Sequence, residues 1–418
     1  MAGTENAIEI EEHTVQVLPA ADEESLAGET GIQHVFVIGS KGIPARYGGF
    51  ETFVENLTGH RHSDRIRYHV ARMAEDDLRF EYNDAVCFDI KVPYIGPARA
   101  VVCDLIAMER CIRYCQTHPE VKKPVFYILA CRIGPFIAKY RRQIHALGGV
   151  LYVNPDGHEW KRAKWSAPVR RYWKYSEGLM VKSADLLVCD SKNIERYILR
   201  TYRQYAPVTE YIAYGSEIGA PSDAAEETVL DEWLAEHGLA RKEYYLVVGR
   251  FVPENNFEIM IREFMRSDTK KNFAIITTTD GRFYNRLRER LDFEKDPRIK
   301  FTGTVYDQRL LALIRQNAYG YFHGHEVGGT NPSLLEALGA TDLNLLLDVG
   351  FNREVAEDAA LYWTKQEGNL AELIGRADEM APEAILELGK KARDRIRRFY
   401  NWEQVSTRYE ELFLSGKK

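Results

Sequence analysis

The stretch HVFVIGSKGIPARYGGFETFVENL, residues 34–57, places an apolar run, a glycine-rich loop and a helical pattern in immediate succession. The apolar run reads as a strand buried on both faces, because short apolar runs bounded by turn residues are typical of parallel sheets. The loop contains four glycines, one proline and two basic residues within eleven positions. Glycines let the backbone approach a ligand and a helix N-terminus attracts negative charge, so the loop predicts an anion site. The alternative is a tight turn with a basic pair at the surface.

The alternation of strand and helix continues along the whole chain. Strand candidates in the first half are residues 34–40, 68–73, 85–92, 124–131, 149–155, 184–191 and 208–215. Those in the second half are residues 244–251, 272–280, 299–305, 319–324, 343–349 and 360–363. Apolar runs with helices between them predict parallel sheets covered on both faces. We therefore predict an α/β fold of two doubly wound Rossmann-like domains, whose strands end around a shared cleft.

Charge and strand signals set the predicted domain boundaries. Residues 1–30 carry eight acidic residues and no Lys or Arg, which predicts a disordered acidic extension. Residues 31–218 are the predicted N-terminal domain and residues 219–395 the C-terminal domain. The segment RIRRFYNWEQVSTRYEELFL reads as a helix, and we assign residues 396–418 to a helix that could cross back to the first domain.

Composition narrows the class of protein. A chain of 418 residues is too long for one core, and a net charge of -6 argues against a general nucleic-acid binder. We find no apolar run long enough to span a membrane and no signal-peptide pattern. The six cysteines lie mostly in apolar segments without a C-x-x-C pair, which predicts reduced thiols in a cytosolic protein.

Two loops in the second half carry residues suited to a diphosphate. In VVGRFVPENN, residues 247–256, Arg250 follows a strand, where its guanidinium can make paired bonds to phosphates. In HEVGGTNPSLLEALGA, residues 325–340, Asn331 or Ser333 can cap a helix that begins near Pro332. Glu336 either completes a capping box with Ser333 or accepts two hydroxyls of a ribose. For Arg250 the alternative is an ordinary surface arginine.

The segment LYVNPDGHEWKRAKWSAPVRRYWKYSEG raises two further questions. Asp156 lies just after a strand, where it could accept a hydrogen bond from an attacking hydroxyl, although P-D-G is also a strong turn signal. The residues after it are basic and aromatic, which suits a helix on an anionic bilayer or one that packs its tryptophans inward. The predicted membrane-facing residues are Trp160, Lys161, Arg162, Lys164, Trp165, Arg170, Arg171 and Trp173.

We predict no metal site. His323 and His325 lie two residues apart with no third ligand nearby, and the chain has no D-x-D that would hold a metal on a nucleotide sugar. We expect one of these histidines beside the sugar or the phosphates of a ligand.

The motifs GGFE, GRFVPEN and GGTNPSLLEAL, in this order, resemble those of retaining glycosyltransferases of family four, which have the GT-B fold. The first half, with GSKGIPARYGGFETFVENL, NPDGHEWKRAKW and VCDSKNIERYI, resembles the branch of bacterial β-1,4-L-rhamnosyltransferases of cell-surface polysaccharide synthesis. The likeness runs from about residue 34 to the C-terminus. It implies that the first domain binds an acceptor and the second a nucleotide sugar.

The resemblance also implies roles for individual residues. Arg250 matches the diphosphate-binding arginine and Glu336 the ribose-binding glutamate. The implied donor-binding set is Gly42, Gly49, Arg250, Asn255, His325, Gly328, Gly329, Thr330, Asn331 and Glu336. The implied acceptor-binding set is Arg46, Tyr47, Gly48, Asp156, His158 and Glu159, with Asp156 and Arg250 as the catalytic pair. Gly328 replaces a glutamate and Asn255 a lysine of the family pattern, which is compatible with a deoxysugar donor.

The implied reaction is metal-independent transfer of L-rhamnose, with retention, from TDP-β-L-rhamnose to polyprenyl-diphosphate-linked N-acetylglucosamine. Such an enzyme would need no cofactor and would work at the inner face of the cell membrane, in cell-wall or capsular polysaccharide synthesis. Three alternatives remain open: another nucleotide-sugar donor, a UDP-sugar epimerase, and a non-catalytic scaffold docked on the membrane.

Overall fold

The computed structural model describes residues 7–10, 13–18, 31–45, 48–96, 98–162, 164–279 and 281–417. These residues divide into two compact units. The first unit comprises Met1–Trp160, Ala167–Tyr214 and Trp402–Lys418, and the second comprises Lys161–Ser166 and Gly215–Asn401.

The first unit is built on a ten-stranded sheet. Its strands are β1 (Ala7–Ile10), β2 (His13–Val17), β3 (Gln33–Ile38), β4 (Ile66–Ala74), β5 (Arg79–Tyr82), β6 (Ala85–Lys91), β7 (Val125–Leu129), β8 (Val150–Asn154), β9 (Leu186–Cys189) and β10 (Thr209–Tyr211). Seven strands in the order β6-β4-β3-β7-β8-β9-β10 are parallel, and β5, β2 and β1 extend the β6 edge with antiparallel pairs. The parallel part is therefore doubly wound: from the central pair β3 and β7, the chain adds β4 and β6 on one side and β8, β9 and β10 on the other.

Helices cover both faces of this sheet. They are α1 (Gly49–Gly59), α2 (Ala98–Thr117), α3 (Gly134–Ala146), α4 (Ala167–Ser183) and α5 (Lys192–Thr201). One face packs on α2 to α5 through a core that includes Phe36, Ile128 and Met108. The six cysteines are all buried and free, as the apolar character of their surroundings predicts.

The second unit has a six-stranded, all-parallel sheet in the order β13-β12-β11-β14-β15-β16. Its elements are α6 (Ala224–Glu236), β11 (Tyr244–Val248), α7 (Phe257–Arg266), β12 (Asn272–Ile276), α8 (Arg282–Leu291), β13 (Ile299–Phe301), α9 (Gln308–Asn317), β14 (Gly320–His323), α10 (Pro332–Ala340), β15 (Asn344–Leu347), α11 (Gly350–Ala356), β16 (Leu361–Trp363), α12 (Asn369–Asp378) and α13 (Pro382–Phe399). Along β11, Tyr244 and Leu246 face one core while Tyr245 and Val247 face the other, as the two-residue period of a strand requires.

The helix α14 (Trp402–Ser415) belongs to the first unit although it follows the second in the chain. It packs beside α1 on the sheet face opposite α2, where Phe53 and Tyr409 have ring centroids 5.3 Å apart. The hydroxyls of Tyr127 and Tyr409 are 3.1 Å apart, and Glu410 accepts a 2.7 Å hydrogen bond from the backbone N–H of His62.

Two sequence predictions need correction. The first 30 residues are not uniformly disordered, because β1 and β2 form a hairpin there; residues 1–6, 11–12 and 19–30 lie outside the described part of the chain. The alternation in HTVQV buries Val15 and allows pairing with β5. The last helical segment is also two helices, since α13 ends at Phe399 and α14 begins at Trp402. The helix that returns to the first unit therefore begins at residue 402 rather than 396.

Candidate functional site

The carboxyl edge of the second sheet holds most of the predicted donor-binding residues. Because β11 and β14 are neighbours, the connections that leave them run in opposite directions along the sheet, which is where such sheets bind ligands. Arg250 lies two residues beyond β11 and is exposed. Its guanidinium makes no hydrogen bond or ion pair with any residue that the structure describes, so it is available to an anion.

The loop after β11 is held by two asparagines. The side chain of Asn255 is buried and donates a 2.9 Å hydrogen bond to the carbonyl of Arg250. The side chain of Asn256 donates a 2.8 Å bond to the carbonyl of Gly324, which follows β14. Asn255 therefore fixes the backbone from which Arg250 extends, and this gives the residue a structural role at the position where the resemblance leads us to expect a lysine.

His323 and His325 stack at the end of β14 with ring centroids 4.4 Å apart. Burial and the neighbouring His325 hold the pKa of His323 well below its usual value. Burial, followed by the positive charges of Arg250 and Arg162, lowers the pKa of His325 to about 3. Both rings are therefore neutral near pH 7, and each can donate from one nitrogen and accept at the other.

Several buried polar atoms at this edge lack a hydrogen-bond partner among the described residues. They are both ring nitrogens of His323, Nδ1 of His325, Oε2 of Glu254, Oγ1 of Thr277 and Oδ1 of Asn352. An unpaired buried polar atom costs about 1–3 kcal/mol, so a cluster of them at the end of β11, β12 and β14 indicates a place for a polar ligand. Asn352 is held there by a 2.9 Å bond from its side-chain N–H to the carbonyl of Leu347.

The N-terminus of α10 adjoins the same edge. Asn331 caps the helix by accepting a 2.9 Å bond from the N–H of Ser333, with Pro332 in the first turn. The hydroxyl of Ser333 bonds to the carbonyl of Val248, at the end of β11, and lies 2.8 Å from the hydroxyl of Tyr321. Ser333 is thus not the cap and forms no capping box with Glu336.

The remaining predicted residues of this set lie on the loop before α10 or one turn into the helix. A Cβ on Gly328 would meet no atom within 4 Å, so the space beside it is open. Gly329 and Thr330 are buried next to it. Glu336 forms an ion pair with the buried Arg315 of α9, with Nη2 and Oε2 2.5 Å apart.

In the first unit, the glycine-rich loop follows β3. A Cβ on Gly42 would lie 2.4 Å from Cβ of Arg72, so close packing against β4 already requires glycine there. Gly48 is the N-cap of α1, whose first residue is Gly49. Arg46 and Tyr47 lie outside the described residues.

The loop after β8 carries the predicted acceptor residues. Asp156 has a left-handed backbone (φ 58°), and its carboxylate accepts a 2.7 Å bond from the N–H of Gly157. Asp156 therefore has the role of a turn residue, which is the alternative to catalysis that its P-D-G sequence predicts. His158 lies against Tyr197, with ring centroids 4.1 Å apart, and Glu159 begins a short 3-10 helix, Glu159–Lys161.

Sequence reasoning missed Arg132, which lies at the carboxyl end of β7. Its guanidinium donates to the carbonyl of Gly39 at 2.5 Å and to Asp104 at 3.2 Å. Burial opposes the charged form of Arg132, but Asp104, Asp156 and Glu51 raise its pKa, in that order. Burial also raises the pKa of Asp104 to about 6. The signal was an arginine directly after a strand, the same signal that identified Arg250.

The basic, aromatic segment does not form one helix, because α4 begins only at Ala167. Its cations Lys161, Lys164, Arg170 and Arg171 are exposed, and Trp160, Arg162, Trp165 and Trp173 are partly buried. Lys174, in contrast, points inward. Its ammonium lies 2.9 Å from the buried carboxylate of Glu177 and 4.8 to 4.9 Å from the ring centroids of Trp160, Tyr197 and Tyr202.

The described residues include no group of three or more His, Cys, Asp or Glu side chains arranged to hold a metal ion. None of their helices is both long and apolar enough to cross a bilayer.

Comparison with known proteins identifies the fold. Residues 32–217 match a family model described as "Domain of unknown function (DUF1972)". No curated protein matches the chain. Sucrose-phosphate synthase from Thermosynechococcus elongatus superposes with a TM-score of 0.75 at 18% identity, covering 92% of this chain and 98% of the other. The Anabaena HepE structure in complex with UDP superposes with a TM-score of 0.66 at 13% identity, covering 92% of this chain and 100% of the other.

An E. coli structure described as trehalose-6-phosphate bound with UDP-2-fluoro glucose gives a TM-score of 0.65 at 12% identity, covering 91% of this chain and 99% of the other. The protein has the GT-B fold. At these identities the likeness establishes the arrangement of strands and helices in two Rossmann-like domains, and nothing about substrates.

Proposed function

We propose that this protein is a glycosyltransferase that uses a nucleoside diphosphate sugar, which is bound at the carboxyl edge of the second sheet. The observation that carries the proposal is the cluster of unpartnered buried polar atoms beside Arg250 and the start of α10. Two structural neighbours, Anabaena HepE in complex with UDP and the E. coli structure bound with UDP-2-fluoro glucose, support a nucleotide-sugar ligand.

In this proposal Arg250 and the positive end of the α10 helix dipole bind the diphosphate. Departure of the diphosphate is the difficult step, because negative charge grows on it as the glycosidic bond breaks. One well-placed donor of this kind contributes about 3 kcal/mol to the stabilisation of such a transition state. The neutral rings of His323 and His325 would bond to sugar hydroxyls or phosphate oxygens without adding charge.

We further propose TDP-β-L-rhamnose as the donor. The open space beside Gly328, where the family pattern has a glutamate, favours a sugar that needs no carboxylate at that point. Rhamnose is a 6-deoxysugar, so it presents a methyl group where an ordinary hexose presents a hydroxymethyl group. Asn255 adds no charge beside the phosphates, which leaves Arg250 as the principal cation of this loop.

The acceptor in this proposal is a polyprenyl-diphosphate-linked N-acetylglucosamine, bound by the first unit. Asp156, His158 and Glu159 would bind its sugar, and a departing diphosphate oxygen would take the proton of the attacking hydroxyl in a retaining reaction. The exposed cations Arg170 and Arg171, with the exposed Tyr175 beside them on α4, suit the inner face of an anionic membrane.

The test is to incubate the purified protein with TDP-rhamnose, UDP-glucose or UDP-N-acetylglucosamine, with and without the lipid-linked acceptor, and to measure released nucleoside diphosphate. Release that requires the acceptor supports the proposal, and the most rapidly consumed donor identifies the sugar. Interconversion of a nucleotide sugar without acceptor would indicate an epimerase. No release with any pair of substrates would indicate a scaffold.

A further inference from the structure

The ion pair between Arg315 and Glu336 joins two neighbouring helices of the second unit. Arg315 lies near the end of α9 and is almost completely buried, with only 3% of the residue exposed. Glu336 lies on α10, and its side chain is 33% exposed. The pair is therefore asymmetric, with the cation inside the protein and the carboxylate at its surface.

The position of Arg315 is fixed by a second contact. Its backbone carbonyl accepts a 2.9 Å bond from the hydroxyl of Thr341, the C-cap residue of α10. The arginine is thus tied to the end of α10 through its backbone and to Glu336 through its guanidinium, while its Nε has no partner among the described residues. An ion pair with one buried member is a poor source of stability, because desolvation offsets most of the attraction.

Orientation of Glu336 explains the pair better than stability does. Oε2 of the carboxylate contacts Arg315, and Oε1 makes no hydrogen bond to any residue that the structure describes. Glu336 also lies three residues after Ser333, whose hydroxyl bonds to Val248 at the end of β11. The carboxylate is therefore held one helical turn beyond the proposed diphosphate site, with an oxygen available.

We propose that Arg315 is a positioning residue that holds Glu336 ready to accept hydrogen bonds from the pentose hydroxyls of a nucleoside diphosphate. This inference rests on the proposed function. Arg315 itself touches no ligand, because it is buried beneath the carboxylate that it orients.

The test separates pentose recognition from diphosphate recognition by calorimetry on the full chain. Three probes are compared: UDP, 2′,3′-dideoxyuridine diphosphate and inorganic pyrophosphate. Arg315→Met should weaken UDP binding by about 10-fold, the order expected for a hydrogen bond to a charged group. It should change the affinity for the two probes without pentose hydroxyls by less than about twofold. Glu336→Gln combined with Arg315→Met should lose little more than either change alone, because both act through one carboxylate.

The outcomes are distinct. Equal weakening of all three probes would mean that Arg315 only supports the structure of α10, and unchanged UDP binding would mean that it has no positioning role; either result overturns the inference. If wild-type protein binds no nucleoside diphosphate, the proposed function and the inference both fail. Should Arg315→Met not fold, the same comparison uses Arg315→Lys, which keeps the charge but not the planar fork of the guanidinium, and Glu336→Gln, which keeps the shape of the carboxylate but not its charge.

Discussion

Nδ1 of His34 on β3 lies 2.9 Å from Nε2 of His69 on β4, and both residues are buried. The ring of His69 also stacks on Phe36 at 4.5 Å. Burial, then the positive charge of Arg67, lowers the pKa of His34 to about 4. Burial, followed by the neighbouring His34, holds the pKa of His69 well below its usual value. The folded protein therefore keeps both rings neutral through weakly acidic pH.

We predict that stability falls as the pH drops from about 6.5 towards 4. In this window the unfolded chain binds protons on His34 and His69 that the folded protein excludes, at about 1.4 kcal/mol per pH unit for each histidine. Thermal unfolding across this range measures the effect. The variant His34→Leu/His69→Phe should show a shallower slope than the wild type, and identical slopes would contradict the assignment.

Replacement of Lys174 should destabilise the first unit. Lys174→Met leaves the carboxylate of Glu177 buried without its cation, which typically costs about 3–5 kcal/mol. Chemical denaturation measures the change. The double variant Lys174→Met/Glu177→Leu should recover much of the loss, while Arg171→Gln, at an exposed position on the same helix, should change stability by less than about 0.5 kcal/mol. An equal loss in both lysine variants would argue against the ion pair.

Arg250→Ala should reduce sugar transfer by about 100-fold, because loss of one transition-state donor costs about 3 kcal/mol. The melting temperature should stay the same, since the Arg250 side chain is exposed. Arg286→Ala, another exposed arginine of the second unit, is the matched control and should keep normal turnover. Wild-type turnover in Arg250→Ala would remove this arginine from the mechanism.

Arg170→Gln/Arg171→Gln should lower binding to anionic vesicles by about 30-fold, since each cation near such a surface contributes about 1 kcal/mol. Lys122→Gln/Lys123→Gln removes the same charge from another exposed pair in the first unit and should bind nearly as wild type. Vesicle co-sedimentation compares the three proteins. Equal binding by all of them would rule out α4 as the membrane-facing element.

Gly39→Ala should be more damaging than Gly148→Ala. Both glycines have a left-handed backbone, with φ of 108° and 74°. A Cβ at Gly39 would lie 2.2 Å from the carbonyl oxygen of Leu129, whereas one at Gly148 would meet nothing within 4 Å. Backbone strain alone costs about 1–2 kcal/mol, and the clash should add about 1–3 kcal/mol more. Denaturation midpoints measure both, and equal losses would mean that the loop after β3 can shift.

The strands that the sequence predicts well are the parallel ones of the two sheets. Each of the thirteen predicted apolar runs overlaps a strand of the two sheets. The three missed strands, β1, β2 and β5, all pair antiparallel at one edge of the first sheet. β5 has the sequence RFEY, with only Phe80 buried, so its composition resembles that of a loop. The acidic residues around β1 and β2 concealed their alternation in the same way.

The candidate site was predictable where a residue's place follows from its neighbours along the chain. Arg250 could be located because it follows an apolar run, and Asn331 because it precedes a proline at a helix start. The sequence alone does not predict which side chains are brought into contact when helices pack together. The pairing of Arg315 with Glu336 depends on how α9 packs on α10. The inward direction of Lys174 depends on the rings of Tyr197 in α5 and of Tyr202 directly after it.

The place of α14 in the chain has a consequence for biosynthesis. Tyr409 and Phe413 are fully buried against the first sheet, yet the ribosome makes them only after the entire second unit. Domains usually complete folding in the order of synthesis. In this chain, Tyr68 and Tyr127 of the first unit lack their contacts with Phe413 until residues 402–415 have emerged from the ribosome. This uncovered aromatic surface is of the kind that chaperones shield during translation.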